Sequence, residues 1–208
     1  EVVIIRPPLV YGPNVKGNFA KLVALLAKGV PLPLAAIKNQ IDSSIIEKVV
    51  DQLLKARRIF FFGLGTSGAV ARDAENKFFR FDLPVSFHVD VLTMRMLSAA
   101  AKPGDLFFMI SHTGRTKAII DATDDARGNG AIVVGLTTPG SMLAKKSDLA
   151  IEVLVSENTE EYMAMTSRIV HLVILDVLAT GFILSKGPEF LNHMEKINLS
   201  LKPTRYKQ

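Results

Sequence analysis

The chain has 208 residues, 49% of them apolar and 22% charged, which is the composition of a folded globular protein with a core of ordinary size. It contains no cysteine, which excludes disulfides, thiolate metal sites and a cysteine nucleophile. The net charge of +5 is mild, and no dense run of lysine and arginine indicates a nucleic-acid-binding arm. Since neither a secretory signal nor an apolar run of about 20 residues is visible, we expect a cytoplasmic protein that does not enter a membrane.

The first 37 residues differ from the remainder of the chain. Residues 1–6 are strand-like, a proline-rich run then predicts a stiff loop, and residues 18–28 predict a helix. One strand–loop–helix unit is too small to bury a core of its own, so we expect it to dock on the main domain or on a neighbouring chain. We therefore divide the chain into a fragment, residues 1–37, and a main domain, residues 38–208.

From residue 38 onward, strand-like and helix-like runs alternate along the chain. The pattern predicts helices at residues 43–55, 67–80, 91–100, 116–128, 141–146, 159–186 and 188–198, and strands at 59–62, 85–89, 106–110, 131–136 and 149–153. The first helix illustrates the reasoning, because its apolar residues recur at helical spacing and Asp42 or Ser43 can cap its N-terminus.

Four of the five predicted strands are short, continuous apolar runs. Strands of that kind are buried on both faces, as in a parallel sheet covered by helices. The alternation of strand and helix therefore predicts an α/β fold, a doubly wound five-stranded parallel sheet flanked by helices. In such sheets ligands bind beyond the carboxyl ends of the strands, where the strand order reverses.

Two short polar loops each follow an apolar strand and lead into a helix. The first is Gly63-Leu64-Gly65-Thr66-Ser67-Gly68 and the second is Ser111-His112-Thr113-Gly114-Arg115-Thr116. Hydroxyl groups and backbone N–H groups at the positive end of a helix suit a phosphate, and glycine lets the backbone approach it. The candidate binding residues are Gly65, Thr66, Ser67, Ser111, His112, Thr113, Gly114, Arg115 and Thr116.

Two other interpretations of these loops stay open. The spacing Gly63-x-Gly65-x-x-Gly68 also satisfies the dinucleotide-binding fingerprint, and Asp90 ends the next strand, where a ribose-binding acid would lie. Hydroxyl residues before a helix can also serve as ordinary helix caps. We favour phosphate binding because the second loop repeats the chemistry of the first.

The main domain resembles a known family over residues 41–200. The resemblance is carried by GLGTSGAVARDAENKFFR (63–80), ISHTGRTKAIIDATDDARGNGAIVVGLTTPGSMLAKKSD (110–148) and ENTEEYMAMTSRIVHLVILDVLATG (157–181). These segments resemble the sugar isomerase (SIS) domain of RpiR-type bacterial transcription regulators, above all those that control hexose and Entner–Doudoroff metabolism. The resemblance implies an SIS fold and an effector domain for a phosphorylated sugar or sugar acid, 2-keto-3-deoxy-6-phosphogluconate being one candidate, with no catalytic residue, cofactor or metal.

The resemblance also implies roles for individual residues. Ser67 and Ser111 would contact the effector, and Thr113 and Thr116 would belong to the phosphate loop. The turns would be shaped by three glycines, Gly63, Gly65 and Gly114.

The regulators of this family place a helix-turn-helix domain before the SIS domain, and none is present in this sequence. Residues 1–36 instead resemble a late segment of NAD-dependent sugar-nucleotide epimerases, without their catalytic Tyr-x-x-x-Lys, since Val15 stands four residues after Tyr11. We interpret the juxtaposition as a chimera, and we expect this fragment not to bind DNA. A nucleotide-sugar-binding or NAD-binding protein is an alternative that this segment keeps open.

An aldose–ketose phosphosugar isomerase is the enzymatic alternative. Such an enzyme needs a carboxylate base, which Glu157, Glu160 or Glu161 could supply, although acids are favoured at a helix N-terminus in any case. His171 lies among apolar residues, so we expect a core or interface histidine. The helix predicted at 159–186 carries more apolar surface than one layer covers, which predicts a homodimer.

Overall fold

A parallel sheet forms the centre of the structure, a computed structural model that describes residues 42–155 and 166–204. Its strands are β1 (Arg58–Gly63), β2 (Val85–His88), β3 (Asp105–Ile110), β4 (Ile132–Thr137) and β5 (Leu149–Glu152). They are hydrogen-bonded in the order β2-β1-β3-β4-β5, and all four ladders are parallel. The predicted five-stranded parallel sheet is therefore confirmed, whereas the fragment 1–37 lies outside the described residues.

The helices alternate with the strands as predicted. They are α1 (Ser43–Lys55), α2 (Thr66–Phe78), α3 (Val91–Ala99), α4 (Lys117–Gly128), α5 (Met142–Lys146), α6 (Thr166–Lys186) and α7 (Pro188–Ser200). Short 3-10 turns follow α2 at Phe79–Phe81 and α7 at Lys202–Thr204. The predicted helix 67–80 thus ends early, because the chain tightens into the 3-10 turn before Asp82 adopts a left-handed φ of 54°.

The strands β1 and β3 are buried on both faces of the sheet, and their phenylalanine side chains alternate between the two faces. Phe60 packs on Phe107 with 4.7 Å between ring centroids, and on the opposite face Phe61 packs on Phe108 at 5.5 Å. All six residues of β3 are buried, whereas β2 at the sheet edge is half-buried throughout. These continuous apolar runs are therefore central strands covered by helices on each side.

Each face of the sheet has its own apolar core. Buried residues of α1, α2 and α6 fill one core, and buried residues of α3, α4 and α5 fill the other. The helices that follow β1 and β3 consequently lie on opposite faces. Because β2 lies on one side of β1 and β3 on the other, the strand order reverses between β1 and β3, and ligands of doubly wound sheets bind at the carboxyl edge at such a point.

Helix α6 packs in the first core. By length and composition it could cross a membrane, with a mean hydropathy of 1.9, but 44% of that stretch is buried inside the protein. Phe182 of this helix stacks on Phe81 with ring centroids 4.9 Å apart, and Phe78 also packs there. The neighbouring Phe79 is 56% exposed beside Arg80.

A buried carboxylate joins β1 to β3 at the amino edge of the sheet. Asp105 is 1% exposed, accepts hydrogen bonds from Arg58 Nε (2.8 Å) and Nη2 (2.9 Å), and pairs with Arg57 at 2.8 Å. Burial raises the pKa of Asp105, but the Arg58 hydrogen bonds, the Lys102 N–H and both arginine charges outweigh it, so the pKa lies below its usual value. These interactions of Asp105 fix the register between β1 and β3, and therefore the alignment of the two strands at the carboxyl edge.

Candidate anion-binding site

The two polar loops lie side by side at the carboxyl edge of the sheet. Gly63 at the end of β1 is the ladder partner of Ile110 at the end of β3, and Ser111 follows directly. Neighbouring strands are about 4.8 Å apart, so residues 63–68 and 111–116 start as neighbours. The structure thus brings the candidate residues of both loops to the point where the strand order reverses. Binding by these residues stays a prediction.

The first loop, residues 63–68, brings the start of α2 very close to β1. A Cβ on Gly63 would lie 2.4 Å from the carbonyl oxygen of Ser67, and one on Gly68 would lie 2.7 Å from Cγ1 of Val89. Gly65 has φ 56° and is exposed. Thr66 and Ser67 are half-buried in the first helical turn. Glycines therefore shape this turn, and the two hydroxyl residues stand at the helix end.

In the second loop, residues 111–116, the hydroxyl groups of the first and last residues lie close together. Ser111 is 5% exposed, and its Oγ lies 3.4 Å from Oγ1 of Thr116. Between them Gly114 adopts φ 58° and donates its N–H to the Ser111 carbonyl at 3.1 Å. His112, Thr113 and Thr116 are half-buried, and Arg115 is exposed. The loop is therefore a tight turn with hydroxyls at both ends.

Four helices in the described residues follow directly after a strand, and they differ in their N-terminal caps. Helix α3 is capped by Asp90, which accepts from Thr93 N at 2.8 Å, and α5 by Ser141, which accepts from Ala144 N at 3.2 Å. In contrast, α2 and α4 have no side-chain cap within the described chain. These two helices start at the two candidate loops.

The absence of side-chain caps on α2 and α4 bears on the two other interpretations of the loops, which are dinucleotide binding and ordinary helix capping. Thr116 occupies the N-cap position of α4, yet its hydroxyl makes no cap bond and lies near Ser111 instead, so capping does not explain it. Asp90 is engaged by the N–H and hydroxyl of Thr93, and these hydrogen bonds hold the pKa of its carboxyl below the usual value. Its position is therefore explained by helix capping rather than by a ribose.

A third connection, residues 137–141 between β4 and α5, contacts the second loop. Thr138 N donates to the His112 carbonyl at 2.9 Å, and Leu143 N donates to the Gly114 carbonyl at 3.1 Å. We did not predict this contact. The hydroxyl residues at a third strand end were its only sequence signal, and they are also typical of a helix cap.

The four histidines are spread over the fold. His171 on α6 is 1% exposed, as expected for a core histidine, and its ring centroid lies 6.0 Å from that of His112. His88 ends β2, where burial lowers its pKa against the opposing charge of Glu75. His193 on α7 contacts the Arg80 carbonyl at 3.0 Å. Among the described residues, no group of three or more His, Cys, Asp or Glu could hold a metal.

A cavity of about 280 Å³ lies at the opposite edge of the sheet, where β4 and β5 begin. It is lined by Lys48, Asp51, Gln52, Ile132, Asp148 and Leu149. Asp148 accepts hydrogen bonds from Arg127 Nε and from Val133 N, each at 2.8 Å. This carboxylate thus ties α4 to the start of β4, and the cavity is separate from the two loops.

The sheet order, the helices on both faces and the two uncapped loops define a doubly wound α/β domain with a candidate anion site at its carboxyl edge. The SIS domain family matches residues 52–181, and the chain belongs to this family. Over 166 residues the chain is 52% identical to the HTH-type transcriptional regulator HexR of Pseudomonas aeruginosa, which covers 80% of this chain and 58% of that protein. The Escherichia coli HexR is 44% identical over 170 residues, 82% of this chain and 59% of that protein.

The chain therefore spans about three fifths of the length of these curated relatives. Among solved structures, the Vibrio vulnificus NanR protein complexed with ManNAc-6P matches with a TM-score of 0.78 and 24% identity, covering 92% of this chain and 72% of that one. The predicted resemblance of the main domain to SIS domains of transcription regulators is confirmed. The epimerase-like segment, residues 1–36, lies outside the described residues, and the interpretation as a chimera stays a prediction.

Proposed function

We propose that this domain binds a phosphorylated sugar or sugar acid as the effector of a transcription regulator, without catalysing a reaction. One observation carries the proposal. The two helices that start at the point where strand order reverses have no side-chain cap, and their loops carry hydroxyl groups instead. The similarity to HexR regulators supports the regulatory role.

The phosphate would lie in the crevice between the two loops. Ser111, Thr113 and Thr116 offer hydroxyl groups, and the first turns of α2 and α4 offer backbone N–H groups that no side chain of the described residues caps. Hydrogen bonds to an anion are about twice as strong as neutral ones. The exposed Arg115 can add a positive charge from the rim. A dianion could therefore be held without burying a cation.

A ligand panel tests this proposal. The panel would contain 2-keto-3-deoxy-6-phosphogluconate, glucose 6-phosphate and N-acetylmannosamine 6-phosphate, each paired with its unphosphorylated counterpart. A ligand at a hundred times its dissociation constant stabilises the fold by about 2.7 kcal/mol, which raises the melting temperature measurably. We expect a shift from at least one phosphorylated compound and none from the counterparts. A folded sample that responds to no phosphosugar contradicts the proposal.

Removing hydroxyls from both loops should weaken binding. We expect Ser67→Ala and Ser111→Ala together to reduce affinity for the phosphosugar at least tenfold, because each lost hydrogen bond to a charged group is worth roughly 1.5–3 kcal/mol. Isothermal titration calorimetry measures the change. Ser147→Ala is the matched control, since its Oγ donates to the Leu143 carbonyl at 2.8 Å on the far end of α5. Unchanged affinity in the double variant would place the site elsewhere.

The proposal also predicts no turnover. An isomerase would exchange the hydrogen at C2 of the sugar phosphate with solvent through a carboxylate base. Glu157, Glu160 and Glu161, the candidates for that base, lie outside the described residues. We expect no deuterium incorporation at C2 when the domain is incubated with the bound phosphosugar in heavy water. Incorporation that depends on one of these glutamates would establish an enzyme instead.

We infer that the domain acts as a cytoplasmic homodimer. Helix α6 carries Ile169 and Leu184 with 45% and 75% of their surfaces exposed, and a second copy would bury such surface. In an intact regulator, effector binding would then change the arrangement of subunits and of the DNA-binding domains attached to them. Sedimentation velocity at micromolar concentration tests the dimer, and a monomer there contradicts it.

A further inference from the structure

We propose that Thr137 and Ser141 are positioning residues that hold the second loop, residues 111–116, in the conformation that receives the phosphate. The inference rests on the proposed function. Neither residue belongs to the two candidate loops: Thr137 is the last residue of β4, and Ser141 is the N-cap of α5. They would act on the anion through the backbone of the second loop.

The two hydroxyls form a directed chain of hydrogen bonds. Thr137 is fully buried, and its Oγ1 donates to the His112 carbonyl at 3.3 Å. Its Oγ1 also lies 3.0 Å from Oγ of Ser141. A hydroxyl has a single proton, so Ser141 must be the donor in that bond. Ser141 Oγ in turn accepts from Ala144 N at 3.2 Å. The chain therefore runs in one direction, from the first turn of α5 to the second loop.

The same hydroxyls enclose Gly114. A Cβ on Gly114 would lie 2.3 Å from Oγ of Ser141 and 2.5 Å from Oγ1 of Thr137, distances that no real side chain tolerates. The Gly114 carbonyl accepts from Leu143 N at 3.1 Å, so the start of α5 holds this residue from one side. The tight turn of the second loop is thus packed against a second, hydrogen-bonded turn.

This arrangement fixes the direction of two peptide groups. The carbonyls of His112 and Gly114 point toward the β4–α5 connection, where they accept hydrogen bonds. In a trans peptide the N–H points opposite to the carbonyl, so the N–H groups of Thr113 and Arg115 point away from α5. In the sheet, β4 and β1 lie on opposite sides of β3. The two N–H groups therefore point toward the first loop, residues 63–68.

The orientation matters electrostatically. A peptide flip at either position would place a carbonyl oxygen where the anion is expected, and the N–H donors would be lost. Beside the Thr138 N–H, which donates to the His112 carbonyl at 2.9 Å, the hydroxyl chain of Thr137 and Ser141 stabilises the unflipped peptide between His112 and Thr113. The two hydroxyls would thereby contribute to anion binding without contacting the anion. This effect is separate from any contribution to global stability.

Isosteric variants test the inference. Thr137→Val keeps the branched shape and removes the hydroxyl, whereas Thr137→Ser keeps the hydroxyl. We expect Thr137→Val and Ser141→Ala to weaken binding of the phosphosugar about tenfold, and Thr137→Ser to stay within about twofold of the original protein. Calorimetric titration gives the affinities, and urea denaturation gives the stability of each variant.

Two control variants separate positioning from stability. Thr123 is also fully buried and donates to the Ile119 carbonyl at 2.9 Å, and Ser147 directly follows α5 and donates to the Leu143 carbonyl, away from Gly65 and Gly114. We expect Thr123→Val and Ser147→Ala to lose comparable stability while binding with unchanged affinity. If all four variants that lack a hydroxyl lose affinity in proportion to stability, positioning is refuted.

Backbone NMR gives a second measure. We expect the Thr113 and Arg115 amide resonances to shift downfield when the phosphosugar binds the original protein, and to shift much less in Thr137→Val. If the original protein binds no phosphosugar at all, the proposed function fails. If it binds and Thr137→Val binds equally well, or if both amides stay unshifted on binding, only the positioning inference fails.

Discussion

At the scale of single residues, the two loops use their turning glycines differently. Gly65 and Gly114 both have positive φ, 56° and 58°. A Cβ on Gly65 would meet nothing within 4 Å, whereas a Cβ on Gly114 would meet Ser141 at 2.3 Å. Gly65 is therefore required by backbone conformation alone, and Gly114 is required by conformation and by space.

This difference predicts unequal effects of the same substitution. We expect Gly65→Ala to lower the free energy of unfolding by about 1 kcal/mol, the usual cost of a side chain at positive φ. Gly114→Ala should cost about 3 kcal/mol, because overpacking adds to that strain. It should also abolish phosphosugar binding. Urea denaturation of both variants measures the difference, and equal losses would show that the contacts around Gly114 relax freely.

Residue patterns revealed part of the site. The glycines and hydroxyls of both loops could be predicted, because a strand that ends in such residues before a helix has a local signature. Thr137 and Ser141 could not be linked to the second loop in that way. Their contact depends on β4 lying beside β3, and the sequence predicts which segments are strands but not which of them are neighbours.

At the scale of secondary-structure elements, the helices that follow strands differ in whether a side chain caps their N-terminus. Asp90 closes the N-terminus of α3 and Ser141 that of α5, so these helices satisfy their first N–H groups internally. Helices α2 and α4 have no equivalent side chain among the described residues. An anion in the crevice would therefore cap two helices at once.

Two cap substitutions test this contrast. We expect Asp90→Ala to lower the free energy of unfolding by a measurable amount, because α3 loses its N-cap. Thr116→Ala should change it by less than about half that amount, because the Thr116 hydroxyl makes no cap bond. The order should reverse for phosphosugar affinity, which only Thr116→Ala lowers. A large stability loss in Thr116→Ala without ligand would mean that Thr116 caps α4 in solution.

Element boundaries were predicted well wherever the apolar pattern was unambiguous. The strand runs of phenylalanine, valine and leucine were assigned correctly because helices cover them on both faces. The end of α2 was misplaced, since the change to a 3-10 turn at Phe79–Phe81 depends on packing rather than on periodicity. The predicted start of α6 at residue 159 lies outside the described residues.

At the scale of the whole molecule, an ion-paired carboxylate joins β1 and β3 at the amino edge of the sheet, and the two candidate loops lie at the carboxyl edge. Asp105 joins β1 and β3 at the amino edge, where the Arg58 side chain is 35% exposed and the carboxylate is buried. At the carboxyl edge the same strands lead into α2 and α4, which lie on opposite faces. We therefore expect stability and binding to depend on opposite ends of one strand pair.

The carboxylate at the amino edge predicts a pH-dependent stability. The pKa of Asp105 is lowered in the folded state, so its contribution is complete above the unfolded value of about 3.9 and is lost as the pH falls through the folded pKa. At pH 7, Asp105→Asn should cost about 2 kcal/mol, because solvent screens the partly exposed arginines. Denaturation from pH 7 to pH 2.5 should show this difference shrinking toward zero.

An exposed carboxylate provides the control for that titration. Asp121 pairs with Lys117, whose side chain is 86% exposed, so Asp121→Asn should change stability much less than Asp105→Asn over the same range. A constant difference between the Asp105→Asn variant and the original protein at every pH would show that shape rather than charge makes Asp105 important.

The reversal of strand order between β1 and β3 has a mechanical consequence. A ligand bound there would contact the N-termini of α2 and α4, of which α2 packs on α6 at one face of the sheet and α4 packs on α3 and α5 at the other. We therefore expect binding to restrict the helix layers on both faces together. A domain packed against the helix layer on either face would therefore respond to the same binding event.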